Sequence, residues 1–256
     1  MAPKKIAGGV IVLIFAFFVT TQVTMRVLGA KIPEHRSPGE NADALAHQVE
    51  AAIGAEAWAQ TGAVSFTFRG KNHHLWDRKR QRARVISGET TALLDLASGR
   101  GIVEQKGQRM SPEAERSALA QAQRIFWNDT FWLNPLVKLF DEGVIRETVS
   151  LPDDEPSGTR GLYVTYTSGG VTPGDSYLWL IGPEGRPIAW RMWTSVFPIQ
   201  GIRVTWDGWV KQPSGALIAT THHLPGVSIE ITDLVTASDF ADLVKGTDPL
   251  AALDTL

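Results

Sequence analysis

Short segments in which apolar and polar side chains alternate recur through most of this sequence. In residues 64–69, three apolar side chains alternate with three polar ones, and similar segments return every ten to fifteen residues later in the chain. A period of two is that of a β-strand with one buried face. Turns rich in proline and glycine, as at 182–185 and 212–215, separate the segments and favour antiparallel connections. We therefore expect a mainly β (α+β) fold, an antiparallel meander of about eleven strands. Besides the segment at 64–69, the expected strands lie at 73–76, 82–86, 91–96, 101–106, 144–150, 162–167, 177–181, 188–194, 202–210, 217–221 and 227–232.

Two regions have the period of a helix instead. Residues 41–60 place apolar side chains at helical spacing and predict an amphipathic helix before the first strand. Residues 111–140 predict a helical insert of two pieces, because Ser111 and Pro112 suit a helix start and Asn134-Pro135 breaks the helix before a second piece at 136–140. Its apolar face has to be buried, so we expect the insert to lie across the sheet.

The N-terminus carries an uncharged, largely apolar run, residues 6–25, preceded by Lys4 and Lys5. Twenty residues in a helix span about 30 Å, the thickness of the hydrocarbon core of a bilayer. The run therefore predicts one transmembrane helix with the following domain in the periplasm or outside the cell. The alternative is a signal peptide that is cleaved near Ala30, which would release a secreted domain.

The chain is expected to have four parts. These are a membrane anchor or signal segment at 1–30, a linker at 31–40, a β domain at 41–240 and a C-terminal tail at 241–256. Residues 1–30 hold three of the 25 basic residues and none of the 27 acidic ones, so the remainder has a formal charge of 22 minus 27, or −5. A mildly acidic domain excludes nucleic acid as an expected partner. The basic run at 78–84 is expected to be a solvated turn next to a strand.

The order of these elements, an N-terminal helix, strands, a two-part helical insert and further strands, resembles that of the periplasmic lipoprotein carriers of the Lol type. Segments 74–78 (HLWDR) and 130–136 (TFWLNPL) also look like those of uncharacterised secreted or anchored proteins. The resemblance covers residues 42 to about 239 and rests on layout. It implies an incomplete antiparallel β-barrel closed by a helical lid over an apolar cavity, and it assigns no site residue. A membrane anchor would prevent the free shuttling of such a carrier.

Strands 177–181 and 188–193 are apolar on both faces, so each has to be covered on both sides. The helical insert can supply one cover and enclose a cavity for acyl chains between itself and the sheet. The alternative is that the aromatic side chains fill the core of the fold. The expected cavity residues come from both elements. They are Phe66, Phe68, Phe126, Trp132, Leu136, Trp179, Trp190 and Trp206.

Other chemistry has weaker support in the sequence. Cysteine is absent, and no Gly-x-Ser-x-Gly motif occurs, so no nucleophilic catalytic residue is expected. The pairs His73-His74 and His222-His223 can each direct one imidazole to a common side of a sheet, since neighbouring strand residues point to opposite faces. A metal site would need one histidine from each pair to converge with Asp77. We expect no metal and no cofactor.

These features favour a membrane-tethered, non-enzymatic protein that binds lipid, acyl chains or lipoprotein in the cell envelope. Its expected partners are the membrane and a lipid or acylated ligand, with an envelope protein as a further candidate. One alternative is a structural or partner-binding envelope module, which would show a large exposed aromatic patch. The second alternative is a metal-dependent enzyme.

Overall fold

A computed structural model describes residues 29–168 and 172–256 of the chain. The expected transmembrane helix at 6–25 lies outside these residues. In the two described stretches, no helix combines the length and the apolar character needed to cross a membrane.

The described residues form a mainly β structure with two antiparallel sheets. The six-stranded sheet has the order β1-β8-β9-β10-β11-β12, and the nine-stranded sheet has the order β13-β14-β15-β2-β3-β4-β5-β6-β7. The strands in chain order are β1 (Arg36–Pro38), β2 (Ala63–Phe68), β3 (Asn72–Asp77), β4 (Arg82–Ser87), β5 (Thr90–Asp95), β6 (Gly101–Gln105), β7 (Gln108–Arg109), β8 (Val144–Val149), β9 (Arg160–Tyr166), β10 (Ser176–Ile181), β11 (Pro187–Trp193), β12 (Ile202–Thr205), β13 (Asp207–Lys211), β14 (Leu217–Leu224) and β15 (Val227–Ala237).

The prediction of a mainly β, antiparallel fold is confirmed, but the strand count of about eleven is too low. The expected strand at 202–210 is two strands, because buried Trp206 lies between them and its backbone N–H donates to the carbonyl of Ile188. There the chain changes partner: β12 pairs with β11, and β13 pairs with β14. The expected linker also contains β1, which pairs with β8. Pairing of such short segments depends on the partner strand, which alternation along the chain does not reveal.

Four α-helices and two 3-10 helices accompany the sheets in the described residues. The α-helices are α1 (Glu40–Ile53), α2 (Ala55–Ala59), α3 (Pro112–Leu133) and α4 (Phe240–Leu243), and the 3-10 helices are Pro135–Lys138 and Ala251–Thr255. The single helix expected at 41–60 is thus two helices, because Gly54 adopts a left-handed conformation (φ 68°) that ends α1. The second helical piece expected at 136–140 is the 3-10 helix at 135–138.

Helix α3 lies across the nine-stranded sheet, as the sequence predicted. Its residues up to Phe126 pack on β4, β5 and β6, where Ala122 and Phe126 join a buried cluster with Leu94 and Val103. Its last turns reach β14 and the core of the six-stranded sheet, where Trp132 packs. One helix therefore bridges the two sheets.

Strand β10 is covered on both faces, which confirms the expectation from its continuous apolar sequence. All six of its residues are buried. On one face, Trp179 and Ile181 join the cluster formed with α1. On the other face, Leu178 and Leu180 pack against a smaller cluster to which Ala30 contributes. The helices thus supply one cover, and the chain segment at the start of the described residues supplies part of the other.

The C-terminal tail packs against the basic run at 78–84. The guanidinium of Arg80 lies 2.7 Å from Asp248 and 2.6 Å from Asp77, and that of Arg82 lies 2.6 Å from Asp254. Hydrogen bonds from Arg80 to Asp248 and Asp77 raise the pKa of Arg80. The hydrogen bond from Arg80 also lowers the pKa of Asp248. The expected solvated turn is therefore partly covered. The acidic residues that cover it lie some 170 positions later in the chain.

We expect Gly54→Ala to destabilise the fold by about 1 kcal/mol more than Gly226→Ala. Both glycines have positive φ (68° and 77°), so both substitutions incur the left-handed backbone strain. An added Cβ at Gly54 would lie 3.0 Å from the carbonyl oxygen of Gly215, whereas at Gly226 it would meet no described atom within 4 Å. Urea unfolding of the two variants measures the difference. Equal losses would show that this contact relaxes freely.

Candidate ligand-binding cavity

A cavity of about 540 Å³ lies beneath the C-terminal part of α3, between this helix and the six-stranded sheet. Its volume is within the range of roughly 300–1,000 Å³ that is typical of small-molecule sites. Its inner wall is aromatic and aliphatic, and its outer rim is polar. The apolar lining consists of Trp127, Phe131, Trp132, Val144, Tyr166, Tyr177, Trp190, Met192, Val196 and Phe197.

The sheet supplies this lining through strict alternation. On β10 Tyr177 faces the cavity, and opposite it on β11 stands Met192. Trp190 lies two residues before Met192 on the same face. The helix supplies Phe131, whose ring lies 5.3 Å from that of Tyr177 and 5.5 Å from that of Tyr166. These rings form one continuous aromatic wall.

Two of the eight cavity residues predicted from the sequence, Trp132 and Trp190, line this cavity, and their rings lie 5.0 Å apart. The structure places the other six in the core. Leu136, Trp179 and Trp206 belong to the buried cluster behind the cavity wall. The remaining three belong to clusters of the nine-stranded sheet: Phe66 and Phe68 to one, and Phe126 to another.

Sequence reasoning missed Phe131, Tyr166, Tyr177 and Met192. The register between β9, β10 and β11 brings the last three to one place, and that register is not readable from a single strand. The sequence did carry a signal for Phe131, because this residue directly precedes the predicted cavity residue Trp132 in an apolar stretch. Burial in the wall raises the pKa of both tyrosine hydroxyls above its ordinary value, so both stay neutral at physiological pH.

The rim carries one basic residue and three acidic ones. The ammonium of Lys138 lies 3.5 Å from Asp141, and Glu142 lies beside them. Asp175 is nearly buried: it accepts a hydrogen bond from the hydroxyl of Thr172 and another, of 2.9 Å, from the backbone N–H of Ser195. The rim therefore fits a neutral polar group better than an anionic one.

A second groove, of about 990 Å³, lies on the other side of α3 and is more open to solvent. Arg78 forms part of its wall. The guanidinium of Arg78 donates to the backbone carbonyls of Trp58 and Thr61 and lies 4.6 Å from the Trp58 ring. Burial lowers its pKa. Because Arg78 already bonds to the backbone at the end of α2, its role in this groove is structural.

A buried polar cluster fixes α3 to the nine-stranded sheet. Asp129 of α3, 2 % exposed, lies 2.8 Å through Oδ2 from both Nδ2 of Asn72 and Nε2 of His74. Its Oδ1 accepts from Nδ2 of Asn128, also at 2.8 Å. His74 stacks on Phe66 at 4.5 Å, and Ser87 donates to Asn72. A buried carboxyl group needs such partners, and all of them except Asn128 come from strands.

His222 is the second buried imidazole, and its surroundings are apolar. It is fully buried in a cluster of indole rings, 4.3 Å from Trp206 and 5.5 Å from Trp132. Neither ring nitrogen makes a hydrogen bond of ordinary geometry to any described residue. Burial lowers the pKa of His222 from 6.5 to about 4; the Thr205 backbone and the charge of Asp207 offset part of this effect, and His223 adds to it. His222 is therefore neutral at physiological pH.

The metal-site hypothesis needed one histidine from each pair to converge with Asp77. The expected alternation is observed, since His74 and His222 are buried while His73 and His223 are exposed. His74 is bonded to Asp129, and Asp77 pairs with Arg80. Across residues 29–168 and 172–256, no group of three or more His, Cys, Asp or Glu side chains is placed to hold a metal ion.

We expect Asp129→Ala to destabilise the protein by about 3 kcal/mol, because it leaves the donors of Asn72 and His74 buried without an acceptor. Gln121→Ala is the control. Gln121 lies on the exposed face of the same helix, and its substitution should change the free energy of unfolding by less than about 0.5 kcal/mol. Denaturant titration measures both. Losses of the same size would contradict the anchoring role of Asp129.

We expect stability to fall as the pH drops from about 6.5 to about 4, because the unfolded chain protonates His222 before the folded chain does. The shift corresponds to about 3 kcal/mol. His222→Leu should remove this part of the acid sensitivity, measured as the difference between unfolding free energies at pH 7 and pH 4. His223→Leu, at the exposed neighbour, should leave the difference nearly unchanged. An unaltered difference in His222→Leu would refute the role of His222.

Comparison with known proteins adds no relative to this picture. No family model matches the chain, and no curated protein is significantly similar to it. The resemblance to the lipoprotein carriers thus stays a prediction from layout.

Proposed function

We propose that this protein is a non-enzymatic, membrane-tethered protein of the cell envelope whose cavity holds an acyl chain of a lipid or of a lipidated protein. The observation that carries the proposal is the cavity of about 540 Å³ with an aromatic inner wall and a polar rim. In this proposal the two sheets act as an incomplete barrel, and α3 is its lid.

The chemistry of the lining supports an apolar chain as the ligand. The inner wall combines Phe131, Tyr177, Trp190 and Met192, and both of the tyrosines in it are neutral. Each buried methylene group contributes about 0.8 kcal/mol, so a chain of about ten carbons contributes about 8 kcal/mol, which is comparable to the entropy cost of association of about 4–15 kcal/mol. Methionine adapts to chains of different shape. The rim then accommodates the polar end of the ligand.

The distribution of aromatic side chains favours this proposal over a partner-binding module. Such a module predicts a large exposed aromatic patch. Among the large hydrophobic side chains that are exposed in the described residues, the aromatic ones are Trp127 and Phe140. Most of the tryptophans of residues 29–168 and 172–256 instead surround or support the cavity.

The tether is proposed from the sequence. Residues 6–25 carry no charge and are long enough to cross a bilayer. A tethered protein of this kind would receive or hand over its ligand at the membrane and would not diffuse away with it. If the run is cleaved near Ala30, the same cavity would belong to a free carrier.

The test is binding of a fluorescent monoacylglycerol, whose polar end carries no charge, to the purified full chain, together with mass spectrometry of lipids that purify with it. Val144→Trp should fill the cavity and weaken binding by at least about tenfold, which corresponds to 1.4 kcal/mol. Val149→Trp is the matched control. Both valines are half-buried on β8, but Val144 lines the cavity and Val149 packs in the cluster on the opposite face.

Circular dichroism establishes that both variants keep the β-rich fold. Weak binding by Val144→Trp alone supports the cavity as the site. Equal affinities in the two variants would show that the monoacylglycerol binds elsewhere. A full chain that carries no lipid and binds no monoacylglycerol would refute the proposal.

A further inference from the structure

We propose that the mouth of the cavity faces the surface of the lipid bilayer and that Val196 and Trp127 insert into it. This inference rests on the proposed function, because it assumes that residues 6–25 are inserted in the membrane. It adds a direction for ligand entry: the acyl chain enters from the bilayer.

The first support is the position of Ala30, which lies near the start of the described residues. The N–H of Ala30 donates to the carbonyl of Gln200 at 3.1 Å, and Nε1 of Trp193 donates to the carbonyl of Ala30 at 2.9 Å. The contact is close, since an added Cβ on Gly201 would lie 2.2 Å from the carbonyl oxygen of Ala30. Ala30 is therefore held against the segment between β11 and β12.

The second support is that this same segment forms the cavity mouth. Val196 and Phe197 line the cavity. The side chain of Gln200 donates to the carbonyls of Thr194 and Phe197, at 2.8 Å and 2.7 Å, and closes residues 194–200 into one compact loop. Ala30 and the mouth thus lie on one small structural unit.

The length of chain between this unit and the apolar run limits their separation. Five residue steps join Met25 to Ala30, so the end of the run lies within about 18 Å of Ala30 even when the chain is fully extended. A helix inserted up to Met25 would therefore hold the loop at 194–200 near the headgroups of the lipids.

The third support is the exposure of apolar side chains at the mouth. Val196 is 74 % exposed and Trp127 is 40 % exposed, which is unfavourable in water. Tryptophan is enriched at the membrane interface because its ring is apolar and its N–H is polar. The rim carries Asp141, Glu142 and Asp175 against Lys138, so anionic headgroups would be repelled. The contact should therefore form on phosphatidylcholine, whose zwitterionic headgroup has no net charge.

The absence of cysteine from the chain permits a clean test. The full-length variants Val196→Cys and Val235→Cys are each labelled with an environment-sensitive fluorophore and reconstituted into phosphatidylcholine vesicles. Val235 is the matched control, since it is an exposed valine, 49 % accessible, that does not line the cavity. The experiment measures how strongly phosphatidylcholine with brominated chains quenches the fluorescence of each label.

We expect brominated lipid to quench the label at position 196 several-fold more than the label at position 235. Equal quenching at the two positions, in protein that sediments with the vesicles, would overturn the inference. A requirement for anionic lipid would also overturn it. Binding of a fluorescent monoacylglycerol by the unsubstituted full chain, measured separately, reports whether the cavity functions. Loss of the mouth contact is thereby distinguished from failure of the proposed function. Full-length chain that stays in solution would refute the tether and this inference together.

Discussion

The position of α3 depends on one buried interaction, that of Asp129 with side chains of the nine-stranded sheet. Burying a carboxyl group without hydrogen-bond partners costs free energy. Asn72 and His74 supply these partners, each with a side-chain nitrogen 2.8 Å from Oδ2 of Asp129. A sliding or rotated helix would lose both. Because Asp129 belongs to the same last turns of α3 that cover the cavity, this polar anchor determines where Phe131 and Trp132 lie over the six-stranded sheet.

The cavity wall is backed by closely packed tryptophan side chains. Trp179, Trp190 and Trp206 contact one another at ring separations of 4.7 to 5.1 Å and form a dense support behind the wall. His222 extends this support and has no charge at neutral pH because of its burial. The outer face of the same sheet is covered by the segment around Ala30, so the wall, the mouth and the start of the described chain form one connected unit.

Much of the fold was predictable, and the failures have physical reasons. The antiparallel strands and the crossing helix α3 follow from side-chain periodicity and turn residues. The division of the strand at Trp206 did not follow, because it depends on a hydrogen bond to Ile188 on another strand. For the cavity, tryptophan content pointed to the correct region, but two of eight predicted residues line it. The basic run at 78–84 was expected in solvent, and acidic residues of the tail cover it.

The sequence by itself determined which segments become strands, which faces are apolar, and that β10 needs cover on both sides, since these properties depend on neighbours along the chain. Tertiary structure alone decided which aromatic side chains pack against each other and which leave space between them. That outcome depends on strand register and on the anchor at Asp129, both of which join residues far apart in sequence. The same holds for the proximity of Ala30 to the mouth. Contacts between distant residues carry no signal in a single chain's periodicity.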